Sequence, residues 1–368
     1  MNIPLVDLKA QYLSIKSEID KAIQDVINEC AFIKGKYVKE FEKNFANAVG
    51  VKHCIGVGNG TEAIYTALRI FGIGSGDEVI TPANSFIATS EAITQTGAKV
   101  VFVDNDPNNY NINISQIENK ITTRTRAIVP VHLYGLPVDM DKILYIAKEN
   151  NLLIVEDCAQ AHLAEYKGKK VGSFGNVGCF SFYPGKNLGA YGDAGAVVTN
   201  DDFLAKKIRM FANHGRISKY DHEFEGTNCR MDGIQGAVLS VKLKYLPKWT
   251  DTRRQIASLY NEYLKDVNEI VTPVEEEYAK HVYHLYVIRV KEREKIQNYL
   301  RKNGVSIGIH YPIALPNMLA YKYLAHKKED FPIASKFQDE ILSLPIYPEL
   351  RKEKVNFICD LIKRANNK

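Results

Sequence analysis

Near the start of the chain, Tyr12, Ile15, Ile19, Ala22, Ile23, Val26 and Ile27 recur at spacings of three and four, which predicts an amphipathic helix over 12–27. Beyond it, apolar runs of strand length alternate with helical patterns. The strand-like runs are 53–57, 78–81, 99–104, 127–132, 152–157, 178–183 and 195–199, and helices are predicted over 61–71, 85–96 and 140–150. Short apolar strands separated by helices imply crossover connections. The expected fold class is therefore α/β, with a mostly parallel central sheet covered by helices. Helical patterns over 231–246 and 249–264 flank Pro247, and the texture then changes to one alternating strand, 283–290, with helices near 292–303 and 352–364. A large domain over 1–245, opening with a helical arm, and a smaller C-terminal α+β domain over 246–368 are expected.

The 368 residues are 45% hydrophobic and 25% charged, which sets disordered, collagen-like and coiled-coil classes aside. The net charge of +5 is spread without a block of like sign, so no nucleic-acid or membrane partner is expected. Cysteines stand at 30, 54, 158, 179, 229 and 359 with no CxxC pair, which argues against structural zinc and iron–sulfur sites; no metal is expected. Reduced thiols, no basic-then-apolar leader and no run of about 18 apolar residues point to a cytoplasmic enzyme.

Gly56-Val57-Gly58-Asn59-Gly60-Thr61-Glu62-Ala63 follows a strand and opens a helix, so unpaired N–H groups and the helix dipole converge where an anion would sit. From Gly58 the spacing G-x-G-x-x-A also matches the weaker dinucleotide fingerprint, with Asp77 as the ribose acid. A plain strand-to-helix turn explains the same glycines, and Gly76-Asp77 reads as a turn. Further along, the strand ending Val155-Glu156-Asp157 places acids at the carboxyl edge of the sheet, where open α/β sheets bind ligands. The strand over 178–183 runs into Pro184-Gly185-Lys186, a lysine in a glycine-rich turn. Such a lysine is usually solvated surface, and it becomes a Schiff-base nucleophile only where its surroundings lower its pKa. An anion-binding helix start, a carboxylate and a lysine are together what pyridoxal 5'-phosphate requires, for its phosphate, its pyridine nitrogen and its aldehyde.

In these segments the chain resembles the DegT-type sugar-nucleotide aminotransferases of fold type I, the aspartate aminotransferase superfamily. The matching stretches are Asn59 to Ala63, Gly76 to Pro82, Glu156 to Gln160, Ser181 to Lys186, Asn228 to Asp232, His310-Tyr311-Pro312 and Leu342 to Pro345. The resemblance implies that Lys186 is the Schiff-base lysine and proton shuttle, that Asp157 pairs with the pyridine nitrogen, and that Gln160 bonds the phenolic oxygen. It places Gly60, Thr61 and Ser181 around the phosphate, with Asn228 supplied by the second subunit of a homodimer, counts Glu62 among the cofactor-binding residues, and stacks Phe86 on the ring. Tyr183, His310 and Tyr311 would lie near the sugar. Cys229 stands where the family often has serine, and Leu163 where it often has glycine. From the residues alone, Phe86 also reads as a core aromatic, Asp157 and Gln160 as a loop cap, and His281 with His284 as a chance pair. His132, Tyr134 and His162 fit core or cleft.

The implied reaction moves an amino group from L-glutamate, through the pyridoxamine form of the cofactor, to a keto sugar nucleotide, leaving 2-oxoglutarate. The turn from Gly185 to Gly195 is similar to the branch acting on 3-keto sugars, which implies a dTDP-3-keto-6-deoxyhexose acceptor and a dTDP-3-amino-3,6-dideoxyhexose product for glycan biosynthesis. A 4-keto sugar aminotransferase is the alternative. A nucleotide-dependent dehydrogenase leaves Asp157 and Lys186 unexplained.

Overall fold

The computed structural model describes residues 2–366. The predicted N-terminal helix is two helices, α1 (Leu8–Ser14) and α2 (Lys16–Asn28), because Ile15 leaves helical geometry at φ −129° between them. Helix α3 (Gly35–Val49), unforeseen from the sequence, buries Val38, Phe41, Phe45 and Val49 on one face and ends at Gly50 in the left-handed region, where glycine is at ease.

The central sheet then assembles from β1 (His53–Val57), α4 (Gly60–Ile70), β2 (Glu78–Pro82), α5 (Ile87–Gln95), β3 (Lys99–Val103), β4 (Thr125–Ile128), α6 (Met140–Glu149) and β5 (Leu153–Asp157). After a small hairpin of β6 (Glu165–Tyr166) and β7 (Lys169–Lys170) come β8 (Val177–Ser181), β9 (Gly195–Thr199) and α7 (Asp202–Phe211). Seven strands lie in the order β1-β9-β8-β5-β4-β2-β3. The ladders from β8 through β3 are parallel, and β9 runs against both its neighbours, so the expectation of a mostly parallel sheet holds. Strand β4 starts and stops earlier than the apolar run over 127–132. Pro130 cannot donate to a ladder, and the segment beyond it bends into the Leu133–Gly135 turn.

Helices α8 (Gly233–Leu243) and α9 (Leu246–Leu264) follow, with Pro247 in the first turn of α9, where its missing N–H costs nothing. The C-terminal third holds β10 (Ile270–Val271), β11 (Ala279–Lys280), β12 (Tyr286–Val290), α10 (Arg293–Lys302), α11 (Pro332–Glu340), β13 (Ile341–Leu344) and α12 (Lys352–Asn366). Three strands, β10-β12-β13, form an antiparallel sheet where one strand was expected; β13 carries the Leu-Ser-Leu motif and pairs with β12 across some 50 residues of chain. A hydrophobic core of its own, including Tyr260, Tyr286, Ile288, Leu300, Leu342 and Ile358, packs α9, α10 and α12 on that sheet. Asp104, just past β3, accepts the N–H groups of Ile333 and Ala334 at 2.9 and 2.8 Å, a carboxylate cap that fastens α11 to the edge of the large sheet.

Candidate active site

The carboxyl ends of β1, β5 and β8 bring the expected residues to one edge of the sheet. At the start of α4, Asn59 caps the helix by accepting the Glu62 N–H at 2.9 Å, and Ala63 N–H reaches Asn59 O. The N–H groups of Gly60 and Thr61 have no partner among the described residues and are left for an anion. Gly60 is required by packing, since a Cβ there would come within 2.6 Å of Ser181 Cβ. Glu62, expected among the cofactor-binding residues, turns away from the anion site. Its N–H is taken by Asn59 and its carboxylate leans back on the Gly58 backbone, so it offers an anion no donor. Asn228 lines a cavity of about 300 Å³ with Gly58, Asn59 and Glu62.

Asp157 ends β5 and is only 5% exposed. Its Oδ2 accepts Thr89 Oγ1–H at 2.8 Å and its Oδ1 accepts Ala159 N–H at 3.0 Å, while Ser85 Oγ reaches Thr89 Oγ1 at 2.9 Å. A carboxylate has room for about four donors. Two are supplied and no ion pair forms on it among the described residues, so burial pushes its pKa up. Lys186 follows β8 in a turn closed by its own N–H on Tyr183 O at 2.8 Å and by Ala190 N–H on Phe182 O at 2.7 Å. Two side chains pin that turn from behind: Lys242 Nζ donates to Gly189 O at 2.6 Å, and Asn187 Nδ2 to Val282 O at 3.0 Å. No hydrogen bond engages Lys186 Nζ among the described residues, and desolvation pulls its ammonium down to about 8, Asp157 pulling the other way.

Around these two groups stand Gln160, Tyr311, His310, Phe86 and Tyr183. Gln160 Nε2 donates to Tyr311 Oη at 2.9 Å, and the Tyr311 ring lies 5.6 Å from Phe86. His310 Nδ1 meets Ser343 Oγ at 2.8 Å, and burial lowers its imidazole to about 4, which keeps it neutral. Phe86 is 52% exposed, so it is not the core aromatic its residue type also allowed, and Tyr183 is 59% exposed. The undecided residues separate. His162 is buried behind Ser181, with Nε2 on Ser181 O at 2.9 Å and its ring against Phe180 and Phe182. His132 is locked between Val138 N–H and Glu156. Tyr134 reaches the cleft wall, donating its hydroxyl to His310 O. His281 and His284 also part company: His281 Nδ1 accepts Tyr283 N–H at 3.0 Å, whereas His284 lies near Lys186 with a buried Nδ1 that has no partner among the described residues.

Sequence reasoning missed Thr89 and Lys242, and left Tyr134 and His284 without a role. Thr89 left little trace, being one of several polar residues on its helix with Ser90, Glu91 and Thr94. The set fits pyridoxal phosphate on the structure's own terms. A buried carboxylate lacks a cation, a lysine is held desolvated with its amine free, and a helix start presents unpaired N–H groups beside Ser181.

A model of the DegT/DnrJ/EryC1/StrS aminotransferase family matches residues 13–363. A dTDP-3-amino-3,6-dideoxy-alpha-D-galactopyranose transaminase from Aneurinibacillus thermoaerophilus is 45% identical over 362 residues, covering 98% of this chain and 99% of its own. A pleiotropic regulatory protein from Geobacillus stearothermophilus is 44% identical over 364 residues, 98% of each chain. Other relatives are named for UDP- and GDP-linked sugars. The crystal structure of S. venezuelae DesV in complex with a ketimine intermediate matches with a TM-score of 0.98 at 39% identity, covering 100% of this chain and 99% of that one. Further matching structures hold the pyridoxamine form of the cofactor.

Proposed function

The chain belongs to the DegT/DnrJ/EryC1/StrS aminotransferase family, whose members are pyridoxal-phosphate sugar-nucleotide aminotransferases, and on that premise we propose that it aminates C3 of a dTDP-3-keto-6-deoxyhexose. L-Glutamate is the amino donor and 2-oxoglutarate the by-product; the product is a dTDP-3-amino-3,6-dideoxyhexose. The observation that carries the reading is buried Asp157, short of a cation, beside half-buried Lys186, whose desolvated amine has no hydrogen-bond partner among the described residues. The choice of sugar is supported by the Gly185 to Gly195 turn and by end-to-end likeness to the Aneurinibacillus enzyme.

Bound pyridoxal phosphate supplies an electron sink for the charge left when a proton departs from the substrate carbon. Lys186 would hold the cofactor and, as a free amine, would move that proton at Nζ; an amine titrating near 8 is matched to taking and giving it at neutral pH. Asp157 keeps a protonated pyridine nitrogen charged. Gly60 and Thr61 N–H groups, with the Ser181 hydroxyl, hold the phosphate, and Gln160 donates to the phenolic oxygen. Neutral His310, fixed by Ser343, and the exposed Tyr183 present hydrogen-bonding groups to the hexose, with the Tyr311 ring beside them. The exposed ring of Phe86 would cover one face of the cofactor ring.

The working unit is a homodimer in which Asn228 reaches the partner's phosphate site, supported by exposed Phe32, Ile33 and Phe86 on one chain. No helix among the described residues is long and apolar enough to cross a membrane, and all six cysteines are free, as the reducing cytoplasm would keep them. Incubating the protein and glutamate with 3-keto and 4-keto dTDP, UDP and GDP sugars, and following amino-sugar formation by mass, tests the assignment. The 3-keto dTDP sugar should react fastest; faster conversion of a 4-keto sugar would overturn it.

A further inference from the structure

Gln160 is held from both ends. Its Oε1 accepts Tyr134 N–H at 2.7 Å, and one hydrogen of Nε2 goes to Tyr311 Oη at 2.9 Å. An amide nitrogen carries two hydrogens and a phenol one. The second Nε2 hydrogen and the Tyr311 hydroxyl hydrogen therefore find no acceptor among the described residues, although both start from atoms 2.9 Å apart. The backbone under Tyr311 is fixed as well, since Tyr134 Oη donates to His310 O and Asn84 Nδ2 reaches Tyr134 Oη at 3.4 Å. The Tyr311 ring is tilted 40° from that of Phe86, the His310 ring stands edge-on to it, and the charge of Asp157 acts on its phenol. Burial pushes the phenol's pKa up, so it keeps its proton.

We propose that Tyr311 is a cofactor-binding residue: its O–H and the remaining Gln160 N–H converge on the phenolic oxygen of pyridoxal phosphate as a two-donor clamp. The proposal rests on the pyridoxal-phosphate reading above and moves the hydroxyl of Tyr311, though not its ring edge, from the sugar to the cofactor. Two donors stabilise negative charge on that oxygen and weaken its hold on the proton it shares with the lysine linkage. Removing one donor makes the shared proton harder to lose, so the pH at which the bound chromophore changes colour moves up.

The test is a visible-absorbance titration of the purified holoenzyme, wild type against Tyr311→Phe, from pH 5.5 to 10. Asp157, Tyr134 and His310 face this hydroxyl and are the same in both proteins, so a difference in midpoint belongs to Tyr311. The expected result is a midpoint raised by about one pH unit, with cofactor dissociation several-fold faster. A midpoint that stays put, with only the KM for the keto sugar raised, overturns the clamp and leaves the aminotransferase reading intact. If the wild-type protein takes up no chromophore, or Lys186→Ala still shows the lysine-linked absorbance, the underlying reading fails and the clamp with it.

Discussion

Glu156 and Asp157 are adjacent in sequence, buried at the end of one strand, and opposite in use. Glu156 points away from the cleft and is fully satisfied: its two oxygens accept Gly172, Phe174 and Gly175 N–H groups at 2.7 to 2.8 Å and His132 Nε2 at 3.1 Å. His132 donates there because its Nδ1 accepts Val138 N–H. His132, Glu156 and Cys158 offer ligand atoms within 4.8 Å of one another, yet the imidazole and carboxylate atoms are already engaged. Asp157 points the other way with half its sites empty. The lysines repeat the contrast. Burial brings Lys242 and Lys186 both down to about 8, but Lys242 is 0% exposed and spends a hydrogen on Gly189 O, whereas Lys186 spends none among the described residues. Desolvation alone marks neither pair as functional. A desolvated group left short of partners does, because complete polar networks stabilise a fold and incomplete ones wait for a ligand.

The sharpest way to break this comparison is to substitute both acids. Asp157→Asn should cut turnover by about 10²-fold or more while the melting temperature of the cofactor-free protein holds or rises, since an ionised, under-satisfied carboxylate is removed. Glu156→Gln should do the reverse, destabilising by about 3 kcal/mol by setting an amide NH₂ against backbone donors, with turnover of the folded fraction largely retained. Thermal melts and glutamate half-reaction rates on both variants check this; similar profiles for the two would erase the distinction.

A smaller effect concerns pH. A lysine whose pKa is lowered from 10.5 to about 8 is charged below that value and nucleophilic above it. The rate at which cofactor-free protein takes up pyridoxal phosphate should therefore rise about tenfold between pH 7 and 9, then level. A rise continuing past pH 10 would mean Lys186 is not desolvated. Smaller again is Lys242→Met. Losing the tie to Gly189 O should loosen the turn that aims Lys186 and lower turnover roughly tenfold at most, with cofactor still covalently held.

Much of this was legible in the sequence for identifiable reasons. Strands β1 and β9 carry their bounds in apolar runs closed by turn residues, and Gly58 to Glu62 reads as an anion-binding helix start because that geometry is local. The break at Ile15 and the antiparallel course of β9 depend on packing that no periodicity encodes. Leu163, where the family often has glycine, sits at φ +60°, so the sequence oddity marked a left-handed position. The partners that define the site were out of reach, since Thr89 meets Asp157 across 68 positions and Gln160 meets Tyr311 across 151. Glu62 misled because the motif names the residue but not the direction of its carboxylate.

The central claim is that the open lysine, not the satisfied one, carries the cofactor. Reducing the holoenzyme with borohydride, digesting it and mapping the pyridoxyl adduct by mass tests it most directly. The account predicts a single adduct on the peptide containing Lys186, absent from Lys186→Ala; an adduct on Lys242 or another lysine, or none at all, would contradict it.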